Sequence, residues 1–178
     1  MKIKIKRILV LIVLVIISFL LQTSVLKHIA IGSITPNLFI ILVSSFGFMR
    51  GKKEGMLIGF FLGLLIDVFY GVGNLIGFYA LVYLVIGYLN GFFKRRFLAD
   101  DIKLPIALIL GSEFSYGLVN YLFLYMMRSK FQFIYYFGQI IMPELVYTIL
   151  VTLIFYPIIL RINQFLEADE KRSAGKFV

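Results

Sequence analysis

The chain has 178 residues, of which 61% are hydrophobic and only 15% are charged, and its formal net charge is +9. It has no cysteine and a single histidine, His28, which excludes disulfides, thiol nucleophiles and cysteine-based metal centres. The sequence contains no motif of a phosphate-binding loop, a serine hydrolase or a zinc protease, so we expect no catalytic residue, no metal and no cofactor. A soluble core does not need this many apolar residues, and the composition therefore indicates a membrane protein.

The apolar residues form six blocks, and most are long enough to cross about 30 Å of hydrocarbon at about 1.5 Å per helical residue. The second and third blocks are short, and they meet thinned bilayer, extend into their flanks or pack as a hairpin within the bundle. We predict an all-α bundle of six transmembrane helices in a single polytopic domain over 1–178, which ends in a charged tail over 161–178. The predicted spans are about 8–26, 36–49, 55–70, 75–93, 104–127 and 139–160.

The basic residues predict the orientation of these spans. Of the 18 lysines and arginines, only Lys27, Arg128 and Lys130 fall on one side of the predicted membrane. By the positive-inside rule, the other side is cytoplasmic and carries both termini. The net charge then reflects topology and contact with anionic membrane lipid, so we expect a mostly solvated basic rim and no nucleic-acid partner. The cytoplasmic basic residues are Lys2, Lys4, Lys6, Arg7, Arg50, Lys52, Lys53, Lys94, Arg95, Arg96, Lys103, Arg161, Lys171, Arg172 and Lys176.

A small or acidic residue recurs at every fourth position of the third span, at Gly55, Gly59, Gly63, Asp67 and Gly71. Each step of four residues advances only about 40° around a helix, so these residues form a slowly winding groove. Such grooves let another helix backbone approach closely, which is a main source of helix association in lipid. We name these five residues the glycine ladder and predict that it packs against a helix of this chain or of a partner. Asp67 is costly among acyl chains and should face protein or water.

Two prolines predict where spans begin. The sequence Thr35-Pro36-Asn37 is typical of an N-cap residue followed by proline at the first helical position, which places the start of the second span at Pro36 and Asn37. Pro143 is expected to open the sixth helix in the same way. Glu144 would then lie in the first turn, where the helix dipole favours an acid.

A polar face is predicted on the fifth span. Glu113, Tyr116, Gly117 and Asn120 are spaced i, i+3, i+4 and i+7, and Glu113 lies near the middle of the membrane. No lysine or arginine lies deep enough to pair with this carboxyl. The face is too polar for lipid, so it either closes the bundle through internal hydrogen bonds or lines a small-molecule cavity or a partner groove.

Taken together, these features resemble the rod shape-determining protein MreD family over nearly the whole chain. The glycine ladder that ends at Asp67 carries the resemblance most specifically. The remaining features are a basic amino terminus, Pro36-Asn37, a short basic turn, Gly77 before a tyrosine-rich fourth span, an acid in the fifth span, Pro143, and Tyr156-Pro157 followed by Arg161.

The resemblance implies a noncatalytic membrane component of the bacterial elongation machinery, located in the cell (inner) membrane. The implied partners are MreC, the actin-like MreB filament, and a SEDS glycan polymerase with its class B penicillin-binding transpeptidase. The family is also similar in fold to the substrate-binding subunits of energy-coupling-factor transporters. A small-molecule-binding subunit of a vitamin-type transporter is therefore the alternative, although the first span lacks the Ala-x-x-x-Ala that such subunits typically show.

The predicted topology can be tested by cysteine labelling, because the chain has no cysteine of its own. A cysteine introduced at Asn74 or Ser129 should react with an impermeant maleimide in whole cells, since both positions are predicted to lie outside. A cysteine at Lys52 or Ser173 should react only after the cells are lysed. Labelling of position 52 from outside would contradict the span count or the orientation.

Overall fold

We describe a computed structural model of the chain, which covers residues 2–30, 34–71, 77–96, 102–126 and 132–174. The described residues form helices and no β-strand, which confirms the all-α prediction at this level. Helix α1 comprises Lys2–Leu20, a π turn over Leu21–Val25 and a last turn over Leu26–His28. The helices that follow are α2 (Leu38–Arg50), α3 (Lys52–Tyr70), α4 (Phe78–Asn90, continued by a 3-10 turn over Gly91–Arg96), α5 (Lys103–Asn120, continued by a π turn over Tyr121–Tyr125) and α6 (Phe133–Tyr136, a π turn over Phe137–Ile141, and Met142–Ala174).

Helix α2 forms the centre of the fold. All of its 13 residues are buried, and Ile40, Ile41 and Phe46 have no exposed surface. At about 1.5 Å per residue it is only about 20 Å long, and the other helices surround it. The short second span is therefore an enclosed core helix that turns directly into α3 at Gly51, where φ is 102°.

The cap of α2 differs from the prediction. Asn37, and not Thr35, occupies the N-cap position, and its Oδ1 accepts a hydrogen bond from the backbone N–H of Ile40 at 3.2 Å. Pro36 consequently precedes the cap and is not the first helical residue. Asn37 is the cap because it lies directly before the helix, where its amide side chain reaches an N–H of the first turn.

The glycine ladder packs against α4 with backbone touching backbone. A Cβ at Gly59 would overlap the carbonyl of Tyr83, and one at Gly63 would overlap the carbonyl of Tyr79. Gly55 and Gly87 are matched, because a Cβ on either would collide with the carbonyl oxygen of the other. This close antiparallel contact is possible because the ladder glycines of α3 carry no side chain at the points where α4 crosses them.

Gly71 and Pro143 do not take the positions that the sequence predicts for them. Gly71 is exposed and follows the last residue of α3, and the nearest atoms to a Cβ added there belong to Asp67 of the same helix. Pro143 lies inside α6, which begins ten residues earlier, at Phe133. Pro143 has no N–H to donate, and the π turn directly before it changes the local hydrogen-bond register of the helix. Helix α6 also continues through Pro157 as far as Ala174, so much of the predicted tail is helical.

Ion pairs join four helices at one end of the bundle, which we call the basic end. Arg50 is only 8% exposed; its Nε donates to Asn163 Oδ1 at 2.5 Å, and its Nη1 donates to the two Glu170 oxygens at 3.0 and 2.9 Å. Arg7 of α1 pairs with Glu54 of α3 and with Glu170. The prediction of a solvated rim is therefore wrong for Arg50, since a buried guanidinium requires partners.

These ion pairs also affect the titration of Glu170. Partial burial opposes ionisation of this carboxyl, but Arg50 and Arg7 outweigh that effect and lower its pKa. A carboxyl whose pKa is lower in the folded state stabilises the fold above its unfolded pKa. Its contribution is therefore lost as the pH falls through the folded-state pKa.

Three of the described helices are long and apolar enough to cross a membrane. They cover Ile5–His28, Lys103–Tyr125 and Phe133–Arg172. Two shorter apolar helices, Leu38–Arg50 and Phe78–Lys94, do not reach that length.

The contact between α3 and α4 predicts a clear effect of adding one methyl group. Gly59→Ala should lower the free energy of unfolding by about 1–3 kcal/mol, because the new Cβ overlaps the Tyr83 backbone and the helices must separate. The matched control is Gly111→Ala on α5, where nothing lies within 4 Å of the added Cβ. That variant should be neutral, or more stable by about 0.5–1 kcal/mol. Thermal unfolding in detergent gives the unfolding midpoint of each purified variant. Equal midpoints for Gly59→Ala and Gly111→Ala would contradict the packing assignment.

Candidate functional site

The segment before α2 is fixed by side chains from two other helices. Gln22 of α1 donates through Nε2 to the Pro36 carbonyl at 2.9 Å and accepts the Leu38 N–H at 2.8 Å. The Asn37 N–H donates to Thr148 Oγ1 of α6 at 3.0 Å. These bonds satisfy backbone groups that a helix start leaves unpaired, and they hold Asn37 rigidly at the end of the bundle opposite the basic end.

Asp67 caps α4 from the neighbouring helix. Its two carboxyl oxygens accept the backbone N–H groups of Tyr79 at 3.1 Å and Ala80 at 2.9 Å, which are the second and third residues of α4. The residue before α4, Gly77, has φ of 101° and no side chain to perform this role. Asp67 is 4% exposed, and the positive end of the α4 dipole stabilises its charge.

A cavity of about 550 Å³ lies beside these caps, and all six helices contribute to its wall. This volume is within the range of small-molecule sites. Its aromatic wall includes Tyr79, Tyr83 and Tyr116; the Tyr116 ring lies 5.4 Å from that of Tyr83 and 6.4 Å from that of Tyr79. Lys27 lines the same cavity, with its Nζ 4.5 Å from the centre of the Tyr70 ring.

The predicted polar face of α5 divides between two environments. Tyr116 lines the cavity, whereas Gly117 packs against Ile141 of α6, whose Cγ1 would lie 3.0 Å from an added Cβ. Glu113 is 2% exposed and Asn120 is 9% exposed, so both are enclosed by the bundle.

Two carboxyl groups from different helices meet at the floor of the cavity. Glu144 of α6 lines it, and Glu113 of α5 interacts with Glu144 and with Asn37. Both Glu113 oxygens are buried, and neither makes a hydrogen bond of standard geometry to the described residues. Among those residues, no lysine or arginine forms an ion pair with either carboxyl. Glu144 lies in the first turn of the α-helical segment Met142–Ala174, but the π turn before that segment continues the helix, so Glu144 is not at the free helix start that the sequence predicts.

Several cavity residues were not singled out by the sequence. Gln22 and Lys27 belong to the end of an apolar span, and nothing in the local pattern distinguishes them. Tyr79 and Tyr83 did carry a signal, since tyrosines four residues apart share one face of a helix.

The structure is that of an α-helical protein of the membrane class. It has helices of membrane length, a close backbone contact between α3 and α4, and a polar cavity at one end. The family model of the rod shape-determining protein MreD matches residues 2–166. The chain belongs to this family, which confirms the resemblance and assigns the chain to rod shape determination. A search of curated proteins and a search of solved structures found no match.

The cap on α4 predicts that the charge of Asp67 stabilises the fold. Asp67→Asn replaces one acceptor with an N–H donor facing a backbone N–H, which should cost about 1–3 kcal/mol of unfolding free energy. Asp169→Asn is the control, since its ion pair with Lys6 is partly exposed and its loss should cost at most about 1 kcal/mol. Thermal unfolding in detergent is the measurement. Loss of rod shape at undiminished stability would instead indicate a charge-dependent contact of Asp67 with a partner.

Proposed function

We propose that the chain is a noncatalytic scaffold of the bacterial elongation machinery, where it controls lateral peptidoglycan synthesis. In this proposal it is a multi-pass protein of the cell (inner) membrane with six spans and both termini in the cytoplasm. It joins MreC, the MreB filament, and a SEDS glycan polymerase with its class B penicillin-binding transpeptidase. The match of the MreD family model to residues 2–166 is the observation that carries the proposal.

The distribution of charge supports the proposed orientation. Arg7, Arg50 and Lys94 line one recess at the basic end, together with the acids that pair with them. At the opposite end, the cavity contains one basic residue among its described lining, Lys27. By the positive-inside rule this distribution supports a cytoplasmic basic end, which is the side on which the MreB filament lies in this proposal.

An apolar groove between α1 and α3 supports a scaffold role. Its volume is about 570 Å³, and it is lined by apolar side chains from both helices, including Ile12, Ile16 and Phe61. The α1 side of the groove is exposed, with Ile12 at 49% and Ile16 at 48%. The groove runs along a helix of membrane length and suits a partner's transmembrane helix, which we assign to MreC.

The alternative function is that of a small-molecule-binding subunit of a vitamin-type energy-coupling-factor transporter. The cavity at the end opposite the basic end favours it, because its volume and mixture of aromatic and polar walls suit a ligand. The scaffold role is preferred because the family match covers nearly the whole chain.

The scaffold proposal is tested in the native host after depletion of the chromosomal copy. Expression of the chain should restore rod shape and lateral wall labelling, and MreC should copurify in mild detergent. Round cells with normal amounts of the protein, or copurification of an ATP-binding-cassette module in place of MreC, would favour the transport alternative.

The groove is tested separately with a photo-crosslinking residue at Ile12. Leu153 of α6 is the matched control, because it is 53% exposed but lies outside the groove. A crosslink to MreC from position 12, and none from position 153, is the expected result. The reverse pattern would move the MreC contact to α6 without affecting the family role.

A further inference from the structure

Two acids lie at the floor of the cavity and directly behind it, and no lysine or arginine of the described residues forms an ion pair with either. Glu144 lines the cavity, and Glu113 beside it is 2% exposed with both oxygens lacking a standard hydrogen bond. An ionised carboxyl in a buried site is unfavourable unless a positive charge lies close to it. A positively charged group between the cavity and these acids would relieve this cost.

The walls favour an organic cation over a metal ion. The described residues contain no group of three or more His, Cys, Asp or Glu that could hold a metal. Two carboxyls also fall short of the oxygen ligands that Ca²⁺ takes. The tyrosine rings of 79, 83 and 116 lie next to one another on the wall, and aromatic faces attract ammonium groups. A volume of about 550 Å³ is far larger than a bare ion requires.

Lys27 adds a second feature to the site. Its ammonium group lies 4.5 Å from the centre of the Tyr70 ring and is carried by an exposed residue, whereas Glu113 is buried. The cavity therefore has a positive group at its exposed side and acids at its floor. A ligand with charges of both signs fits this polarity.

From this geometry we infer that the cavity binds an organic ammonium group, with the ammonium held by Glu144 and the tyrosines and with Glu113 as a second acid behind Glu144. Lys27 receives an anionic substituent of the same ligand. The ammonium can come from a soluble amine or from the headgroup of an ethanolamine phospholipid. The inference does not depend on the scaffold role, because binding is measured on the purified chain.

The test is calorimetry and thermal unfolding of the full chain in nanodiscs of phosphatidylglycerol. O-Phosphoethanolamine should bind and raise the unfolding midpoint, since a ligand that binds only the folded state stabilises it. Glycerol 3-phosphate, which has the anion without the ammonium, should not bind. A second set of nanodiscs, with phosphatidylethanolamine added, tests the lipid source by the same midpoint.

The variants separate the roles of the charged residues. Glu144→Gln should weaken binding of O-phosphoethanolamine by about tenfold or more, because a charge-assisted contact is lost. Glu167→Gln, at the basic end, is the matched control and should bind like the parent. Lys27→Gln should weaken O-phosphoethanolamine but leave ethanolamine unchanged. Should Glu144→Gln not fold, Tyr70→Leu removes a wall ring that is 46% exposed and should also weaken binding.

A response in the free-amine arm or in the lipid arm supports the inference and identifies the source of the ammonium. Three results would overturn it: no response in either arm, equal binding of glycerol 3-phosphate, or undiminished binding by a folded Glu144→Gln variant. Rod-shape complementation is a separate readout, so failure of ligand binding leaves the proposed scaffold function intact.

Discussion

The close approach of α3 and α4 is the contact on which the rest of the fold depends. Lipid is as apolar as leucine, so burial of apolar surface does not drive these helices together, and backbone contact has to supply the association energy. Gly55 and Gly87 provide it by each leaving room for the other's carbonyl. Once α3 lies this close to α4, Asp67 reaches the first N–H groups of α4, and Tyr79 and Tyr83 take their places in the cavity wall.

A second constraint comes from the short central helix. Helix α2 is completely enclosed, so the polar groups at both of its ends must find partners inside the protein. At one end, Asn37 caps the helix and is held by Thr148. At the other, Arg50 is bound by Asn163 and Glu170, which belong to α6. Helix α6 thus supports both ends of α2, which explains why it continues well beyond the hydrocarbon-length segment.

The cavity and the apolar groove lie on different parts of the molecule and suit different kinds of contact. The groove between α1 and α3 is wholly apolar and faces outward, as a lateral helix contact requires. The cavity takes residues from all six helices, so a ligand bound there would contact every helix of the bundle.

The sequence by itself determined the class of the protein, the approximate positions of the helices and the residues that pack closely. Hydropathy and four-residue spacing are local properties, and they placed α2 within two residues of its ends and marked Gly59 as a contact point. Only the tertiary structure decided that the ladder faces α4, that Asp67 caps a different helix, that Arg50 is buried, and that Glu113 meets Glu144. Each of these facts depends on two residues far apart in the chain, and local spacing contains no information about which distant surface will cover a given face.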